Sequence, residues 1–208
     1  MTTLTFPTLT KAVPHRFEWW GNWPAQGAAS PFDATEQTYE LGACRWMCQM
    51  TFDPLVVADE ALLAAWEAQM RGPSGRVYLW NMVRAAPRGT ITTSGVTLNG
   101  AISAGATSIT LAGAGNTKTL LRGDLLSIGY ELKRVVAADY TSNAGGAMAS
   151  VLVEPPFRAA QIDTAAVTLT APKAIFRLEG EKQGGGFRAN ASGVPFGRRE
   201  YQFVESFT

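Results

Sequence analysis

The run RVYLWNMV at residues 76–83 has the composition of a β-strand, and a second strand-like run, AIFRLEGE, follows at residues 174–181. The second run alternates apolar and polar residues, as a half-buried strand does. We expect the two runs to lie side by side, so that the chain between them leaves a sheet and returns to it. The sequence therefore predicts a host domain at residues 1–88 and 173–208, interrupted by an insert at residues 89–172.

A change in composition marks the same division. All six tryptophans lie in the first 80 residues, whereas the stretch that follows is poor in charge and rich in Gly, Ala, Thr and Val. Short apolar-polar runs recur in that stretch and are separated by glycine-rich turns, which is typical of a small β-barrel. The insert is therefore predicted to be a barrel of about five or six short strands.

The host is predicted to be a β-sheet or sandwich that carries one helix, in the mainly-β or α+β class. Apolar residues at helical spacing between Asp59 and Met70 predict the helix, and its apolar stripe is expected to pack on the sheet. A long strand is expected to end at Phe52. The residues from Arg198 to Phe207 alternate polar and aromatic side chains and predict a closing strand. The Gly, Ala, Ser and Pro-rich residues 26–34 are interpreted as a loop.

Charged residues are scarce, at 17% of the chain against about 25% in an average soluble protein. A surface this neutral is typical of proteins that bury their surface in contacts. The net charge of +1 provides no basic footprint for a phosphate backbone, so no sequence-specific nucleic acid is expected as a partner. No apolar run of about 18 residues occurs, so no membrane segment is expected and the protein is expected to be made in the cytoplasm.

The sequence contains no motif that indicates catalysis, a metal or a cofactor. His15 is the only histidine, and nothing in the sequence brings carboxylates such as Asp124 and Glu154 together for acid and base work. Asp124 is instead expected to accept hydrogen bonds from its own turn. Cys44 and Cys48 are too few for a structural zinc site and are expected to be buried and reduced. We therefore expect no enzymatic activity, no metal and no cofactor.

Aromatic and basic residues of the host form the candidate interaction surface. Three tryptophans near the N-terminus require burial or a partner, and the closing strand adds aromatic and basic side chains. For the tryptophans, contact between subunits ranks first, a place in the core second and a platform for stacking sugars third. The residues predicted at a subunit interface are Trp19, Trp20, Trp23, Arg198, Arg199, Tyr201 and Phe203.

Four segments in and after the insert resemble the distal tail proteins of long-tailed bacteriophages. They are residues 104–111 (AGATSITL), 121–129 (LRGDLLSIG), 155–158 (PPFR) and 171–178 (APKAIFRL). The layout is similar to the variant in which a small oligonucleotide/oligosaccharide-type (OB) barrel is inserted into the ring-forming domain, also called the belt domain. The resemblance covers essentially the whole chain in order, and it carries no active-site residue over to this sequence.

The resemblance implies a structural virion protein at the distal end of a siphophage tail. It implies a closed ring, commonly a hexamer in the family, between the tail tube protein and the hub and tip proteins. The tape measure protein and later the DNA would pass through the opening. The alternative is a carbohydrate-binding module of a tail tip that adheres to a cell-surface glycan. A β-rich hydrolase ranks last, because the sequence contains no nucleophile motif.

Overall fold

A computed structural model describes residues 3–10, 14–30, 35–40, 44–91, 94–180 and 198–207. Across these residues the protein is mainly β, with 44% of residues in strands and 10% in helical structure, and a single α-helix. This confirms the predicted fold class, a mainly-β protein with one helix and a barrel-like sheet.

The strands of the described chain are short, and most of them pair antiparallel. They are β1 Thr3–Thr5, β2 Arg16–Asn22, β3 Ala25–Ala29, β4 Glu36–Glu40, β5 Arg45–Phe52, β6 Arg76–Trp80, β7 Thr97–Leu98, β8 Ser108–Ala112, β9 Thr119–Leu120, β10 Leu125–Ile128, β11 Glu131–Val135, β12 Tyr140–Thr141, β13 Met148–Glu154, β14 Val167–Thr168, β15 Lys173–Leu178 and β16 Arg199–Glu205. Helix α1 spans Val57–Met70, and a 3-10 turn at Gly72–Ser74 follows it. The helix thus begins two residues before the predicted Asp59 and ends at the predicted residue.

The chain divides into two compact units. Unit 1 comprises residues 1–77 and 176–208, and unit 2 comprises residues 78–175. Both boundaries fall inside strands, the first within β6 and the second within β15, whereas the sequence placed them at 88/89 and 172/173. The difference has a physical reason: β6 and β15 are neighbours in one sheet, so the chain crosses between the units within paired strands.

Unit 1 is built on a six-stranded sheet with the order β1-β6-β15-β16-β5-β2. Strands β6 and β15 are neighbours in this sheet, which confirms the pairing predicted for residues 76–83 and 174–181. Strand β16 pairs antiparallel with β5, and β5 pairs antiparallel with β2 at the edge of the sheet. The strand predicted to close the host therefore lies in the interior of the sheet, between β15 and β5.

Helix α1 covers one face of this sheet. Its buried residues Leu63, Trp66 and Met70 follow the spacing that places side chains on one side of a helix. The ring of Trp66 lies 5.9 Å from that of Tyr201 in β16 and 5.1 Å from that of Phe6, measured between centroids. The predicted packing of the apolar stripe on the sheet is thus confirmed, and this face holds the core of unit 1.

A buried ion cluster joins α1 to β16. The Arg199 guanidinium donates from Nε to both carboxylate oxygens of Glu60 at 2.9 Å, and from Nη1 to Glu67 at 2.5 Å. The side chains of Arg199 and Glu60 are only 4% and 5% exposed. The Tyr201 hydroxyl also donates to Glu67, and burial together with this carboxylate raises the pKa of Tyr201 far above its ordinary value. The cluster is favourable only while every charge keeps its partners, because a lone buried charge is costly.

Unit 2 is a nearly closed barrel of six strands in the order β14-β10-β11-β13-β8-β7. A bridge between Thr97 in β7 and Ala166 beside β14 brings the two end strands together, and the Val167 N–H donates to the Val96 carbonyl at 2.9 Å. Closure leaves few free strand edges. The enclosed core is apolar and includes Ile109, Leu111, Leu126, Ile128, Val151, Val153, Phe157 and Leu169.

We predict that unit 1 folds without the insert. The Ala171 N–H donates to the Ala85 carbonyl at 2.5 Å, so a short Gly-Ser linker between these two residues keeps β6 and β15 intact. The shortened chain is expected to show a β-type circular dichroism spectrum and one cooperative unfolding transition in urea. A broad, non-cooperative transition would contradict the inserted arrangement.

We predict that Arg199→Leu strongly destabilises unit 1. The substitution leaves the buried Glu60 carboxylate without its cation, so the free energy of unfolding in urea is expected to fall by about 3–5 kcal/mol. The neighbouring Arg198 is the matched control: its side chain is 65% exposed and lies 3.3 Å from Asp53. Arg198→Leu is expected to cost at most about 1 kcal/mol. Equal losses in the two variants would show that the cluster does not hold α1 on the sheet.

Candidate functional site

Three of the predicted interface residues in the closing strand are buried within the chain. Arg199, Tyr201 and Phe203 are 3%, 0% and 0% exposed within the chain, so they are not available to a partner. This corrects the prediction for these three residues. The alternation along β16 suits a strand with one exposed face, but β16 lies in the middle of the sheet and its aromatic face packs beneath α1.

Two of the predicted interface tryptophans, Trp19 and Trp20, are half-buried in β2. The ring of Trp19 lies 5.2 Å from that of Phe176 and 6.3 Å from that of Trp46, on the face that α1 covers. Trp20 is opposite Met47 of β5 in the strand pairing. Because side chains alternate along a strand, Trp20 lies on the face of the sheet that α1 does not cover. The two rings therefore do not form one platform, and Trp19 belongs mainly to the core.

Trp23 and Arg198 are the exposed members of the predicted set. Trp23 follows β2 and is 54% exposed. Its indole folds back over Gly21, where an added Cβ would lie 3.0 Å from Nε1. Arg198 approaches Asp53, whose other carboxylate oxygen lies 3.1 Å from His15 Nδ1. The structure thus keeps one exposed aromatic ring of the predicted interface, at the end of β2.

Among the described residues, strand β2 lies at the edge of its sheet. It is seven residues long, and within the described part of the chain it pairs only with β5. A free edge presents backbone N–H and C=O groups that pair readily with a strand of another chain. An aromatic edge strand of this length is therefore a candidate contact surface.

A two-stranded ribbon, formed by β3 and β4, extends from this edge. Its pairs run from Ala25 with Glu40 to Ala29 with Glu36, and the Ser30 N–H donates to the Thr35 carbonyl at 2.8 Å near the turn. All ten residues of its strands are exposed, and the two strands form a separate sheet. A two-stranded hairpin with no buried face is only marginally stable in water. We take the β3–β4 ribbon and the free edge of β2 together as the candidate functional site, and call them the contact edge.

The sequence does not predict β3. The loop predicted for residues 26–34 is wrong where it overlaps this strand, Ala25–Ala29. Glycine and alanine are depleted in strands, and no apolar alternation marks the segment. Pairing with β4 alone makes it a strand, and only tertiary structure reveals that pairing.

Asp124 and the two cysteines have structural roles. Asp124 is 4% exposed and accepts from its own turn through the Leu121 N–H at 2.9 Å, as predicted. It also accepts from the Arg88 N–H at 3.0 Å. Cys44 and Cys48 form no disulfide and are buried, as predicted, and burial raises the pKa of the Cys48 thiol far above its ordinary value. Among the described residues, no cluster of three or more His, Cys, Asp or Glu residues is suited to hold a metal ion. No helix of the described chain is both long and apolar enough to span a membrane.

A second buried ion pair lies in the barrel. Glu131 accepts from the Lys133 ammonium at 2.9 Å and from the N–H groups of Arg158 and Ala159 at 3.0 and 3.1 Å. Burial alone would raise the pKa of the Glu131 carboxyl, but the Arg158 N–H and the Lys133 ammonium outweigh burial and hold that pKa below its ordinary value. The carboxylate therefore contributes to stability in its charged form.

We predict that Glu131 makes the barrel sensitive to acid. Because its folded pKa is lowered, its contribution is complete above the ordinary value of 4.5 and is lost as the pH falls through the folded value. Urea unfolding followed from about pH 7 to about pH 3 should show this loss in the wild type, and a weaker dependence in Glu131→Gln. Glu36→Gln in the exposed ribbon serves as the control. If Glu131→Gln retains the full acid sensitivity, the carboxylate is not the titrating group.

No protein-family model matches the sequence, and no curated protein matches it. A proposal for its function therefore depends on the contact edge and on the resemblance of the four segments quoted above.

Proposed function

We propose that the protein is a structural virion protein, a distal tail protein that forms a ring at the tip end of a siphophage tail. The observation that supports self-association best is the β3–β4 ribbon, whose ten residues are all exposed. A segment with ordered strands and no core of its own gains stability when a partner covers it. In the proposed assembly, this partner is a second copy of the protein.

The two ends of the unit 1 sheet support a ring in particular. One end is β2 with the attached ribbon, and the other end is β1, a strand of only three residues. A closed ring requires head-to-tail contact between unlike surfaces, and two different sheet ends provide such surfaces. A contact between two copies of β2 would instead produce a two-fold dimer.

The composition of the contact edge fits burial between subunits. Trp23 and Tyr39 are large exposed rings, at 54% and 62%. Aromatic side chains are enriched where proteins associate. The ribbon strands contain Glu36 and Glu40 and no basic residue, so the surface that receives them should be neutral or positive.

The remaining parts of the proposal come from the resemblance. The ring, commonly a hexamer in that family, would join the tail tube protein to the hub and tip proteins. Its opening would admit the tape measure protein and the DNA. No catalytic step is proposed, and the protein would be made in the host cytoplasm before it enters the virion.

We predict that removal of the ribbon abolishes assembly. Residues 25–40 are replaced by a short Gly-Ser turn, and the full chain and the variant are compared by analytical ultracentrifugation and negative-stain microscopy. The full chain is expected to form rings, whereas the variant is expected to be a monomer. Its melting temperature should change little, because the ribbon buries nothing within one copy. Ile162→Ser, at a residue that is 76% exposed in unit 2, is the control and should leave the rings intact.

Three results would count against the proposal. A full chain that stays monomeric at high concentration excludes self-association through the contact edge. A two-fold dimer excludes the head-to-tail ring. If the protein forms rings in solution but antibodies do not label the distal tail end of virions, ring formation is supported and the tail-tip role is excluded.

A carbohydrate-binding module is the second candidate function. The observation in its favour is a cavity in unit 2 that is lined in part by Ser and Thr residues and has an exposed tyrosine at its edge. The residues of the cavity belong to unit 2 and those of the contact edge to unit 1, so the two functions can be tested with separate substitutions.

A further inference from the structure

A half-open cavity of about 420 Å³ lies on the outer surface of the barrel. Its walls include Ser127, Tyr130, Thr168, Thr170 and Lys173. Ser127 and Thr168 are paired between β10 and β14 and lie on the face away from the apolar core. The volume is in the range of small-molecule sites, about 300–1,000 Å³. Three hydroxyl-bearing residues, one tyrosine and one lysine thus border a space of about the size of a sugar.

Tyr130 occupies a position that does not suit it. Gly129 and Tyr130 form the two-residue turn between β10 and β11, and both have positive φ, at 57° and 65°. Such a turn favours Gly, Asn or Asp, because a larger side chain is strained there. The Tyr130 ring is 51% exposed, so burial does little to offset the strain. Residues held in strained conformations cluster at binding sites, and this one borders the cavity.

The turn is held in place on both sides. The ring of Tyr78 lies 4.8 Å from that of Tyr130, and the neighbouring Tyr78 side chain raises the pKa of Tyr130. Glu131, the next residue, is fixed by Lys133 and by the Arg158 N–H, and the Lys133 ammonium lies 4.4 Å from the centre of the Phe157 ring. A ring held in this way requires little ordering when a ligand binds.

Lys173 supplies a positive charge that forms no ion pair with a carboxylate of the described residues. Its ammonium lies 5.6 Å from the centre of the Trp80 ring, and none of the described residues places a carboxylate within 4.0 Å of it. Its backbone N–H donates to the Ser127 hydroxyl at 3.2 Å, which fixes the strand against the cavity wall. An ammonium in this position is available to pair with the anionic group of a ligand.

We propose that this cavity binds an acidic saccharide. A sugar ring stacks on Tyr130, its carboxylate pairs with the Lys173 ammonium, and its hydroxyls bond to Thr168 and Thr170. Single-stranded nucleic acid is a poorer fit, because it requires a basic groove that tracks the backbone and the cavity has one lysine. The proposal does not depend on ring formation.

The test uses the full chain and a glycan array that contains uronic and sialic acid saccharides with their neutral counterparts. The best acidic ligand is then titrated by NMR beside its methyl ester and inorganic phosphate. We expect the acidic form to bind about fivefold or more tightly than its ester, as for a half-exposed ion pair. Lys173→Met should remove this preference, whereas Lys118→Met, with the same charge change elsewhere in unit 2, should keep it.

Tyr130→Asn separates binding from folding. Asparagine tolerates the positive φ of the turn, so the melting temperature should not fall, whereas affinity for the acidic saccharide should drop about tenfold through loss of stacking. Three results would overturn the proposal. They are no binding to any acidic saccharide of the array, equal binding of acid and ester, and phosphate binding as tight as that of the saccharide and unaffected by Tyr130→Asn.

Discussion

The structure depends on a sheet assembled from residues on both sides of the insert. Strand β16 lies between β15 and β5, and β15 pairs with β6, so no part of this sheet is complete until distant segments meet. The Arg199 cluster adds a charged connection across the same boundary, because it joins β16 to the two glutamates of α1. Burial makes that connection selective: Arg199 is stable at this position only beside both carboxylates. The helix and the central strand therefore stabilise each other in the folded chain.

The two units differ in how many of their strand edges are exposed. Unit 2 brings its end strands together through the Thr97–Ala166 bridge, and Tyr130 borders a cavity on it. Unit 1 leaves the edge of β2 and the whole β3–β4 ribbon exposed within the described chain. Free edges favour association, and closed barrels leave their surfaces to ligands. This contrast is why we assign assembly to unit 1 and ligand binding to unit 2.

Local strain distinguishes the proposed binding site from the structural clusters. Asp124 and Glu131 have their acceptor positions occupied by nearby N–H groups and maintain the shape of the barrel. Tyr130 differs from these residues. It occupies a turn position with positive φ that disfavours tyrosine, and its ring is half exposed.

The sequence alone predicted the features that depend on local pattern. The apolar spacing of Leu63, Trp66 and Met70 indicated the helix and its buried face, and the turn role of Asp124 followed from its residue type. The composition of residues 76–83 and 174–181 indicated the neighbouring strands. Each of these signals arises from residues close together in the chain, where side-chain periodicity determines which face is buried.

Only the tertiary structure decided which strands are covered. The same alternation in β16 would suit an edge or a central strand, and its place between two neighbours buries Tyr201 and Phe203 that the sequence had assigned to an interface. The sequence likewise does not predict strand β3 or the cavity beside Tyr130. Strand β3 has low β-propensity and forms only because it pairs with β4. The cavity is lined by two segments that are far apart in the sequence. Long-range pairing determines exposure, and exposure determines which residues are free to bind a partner.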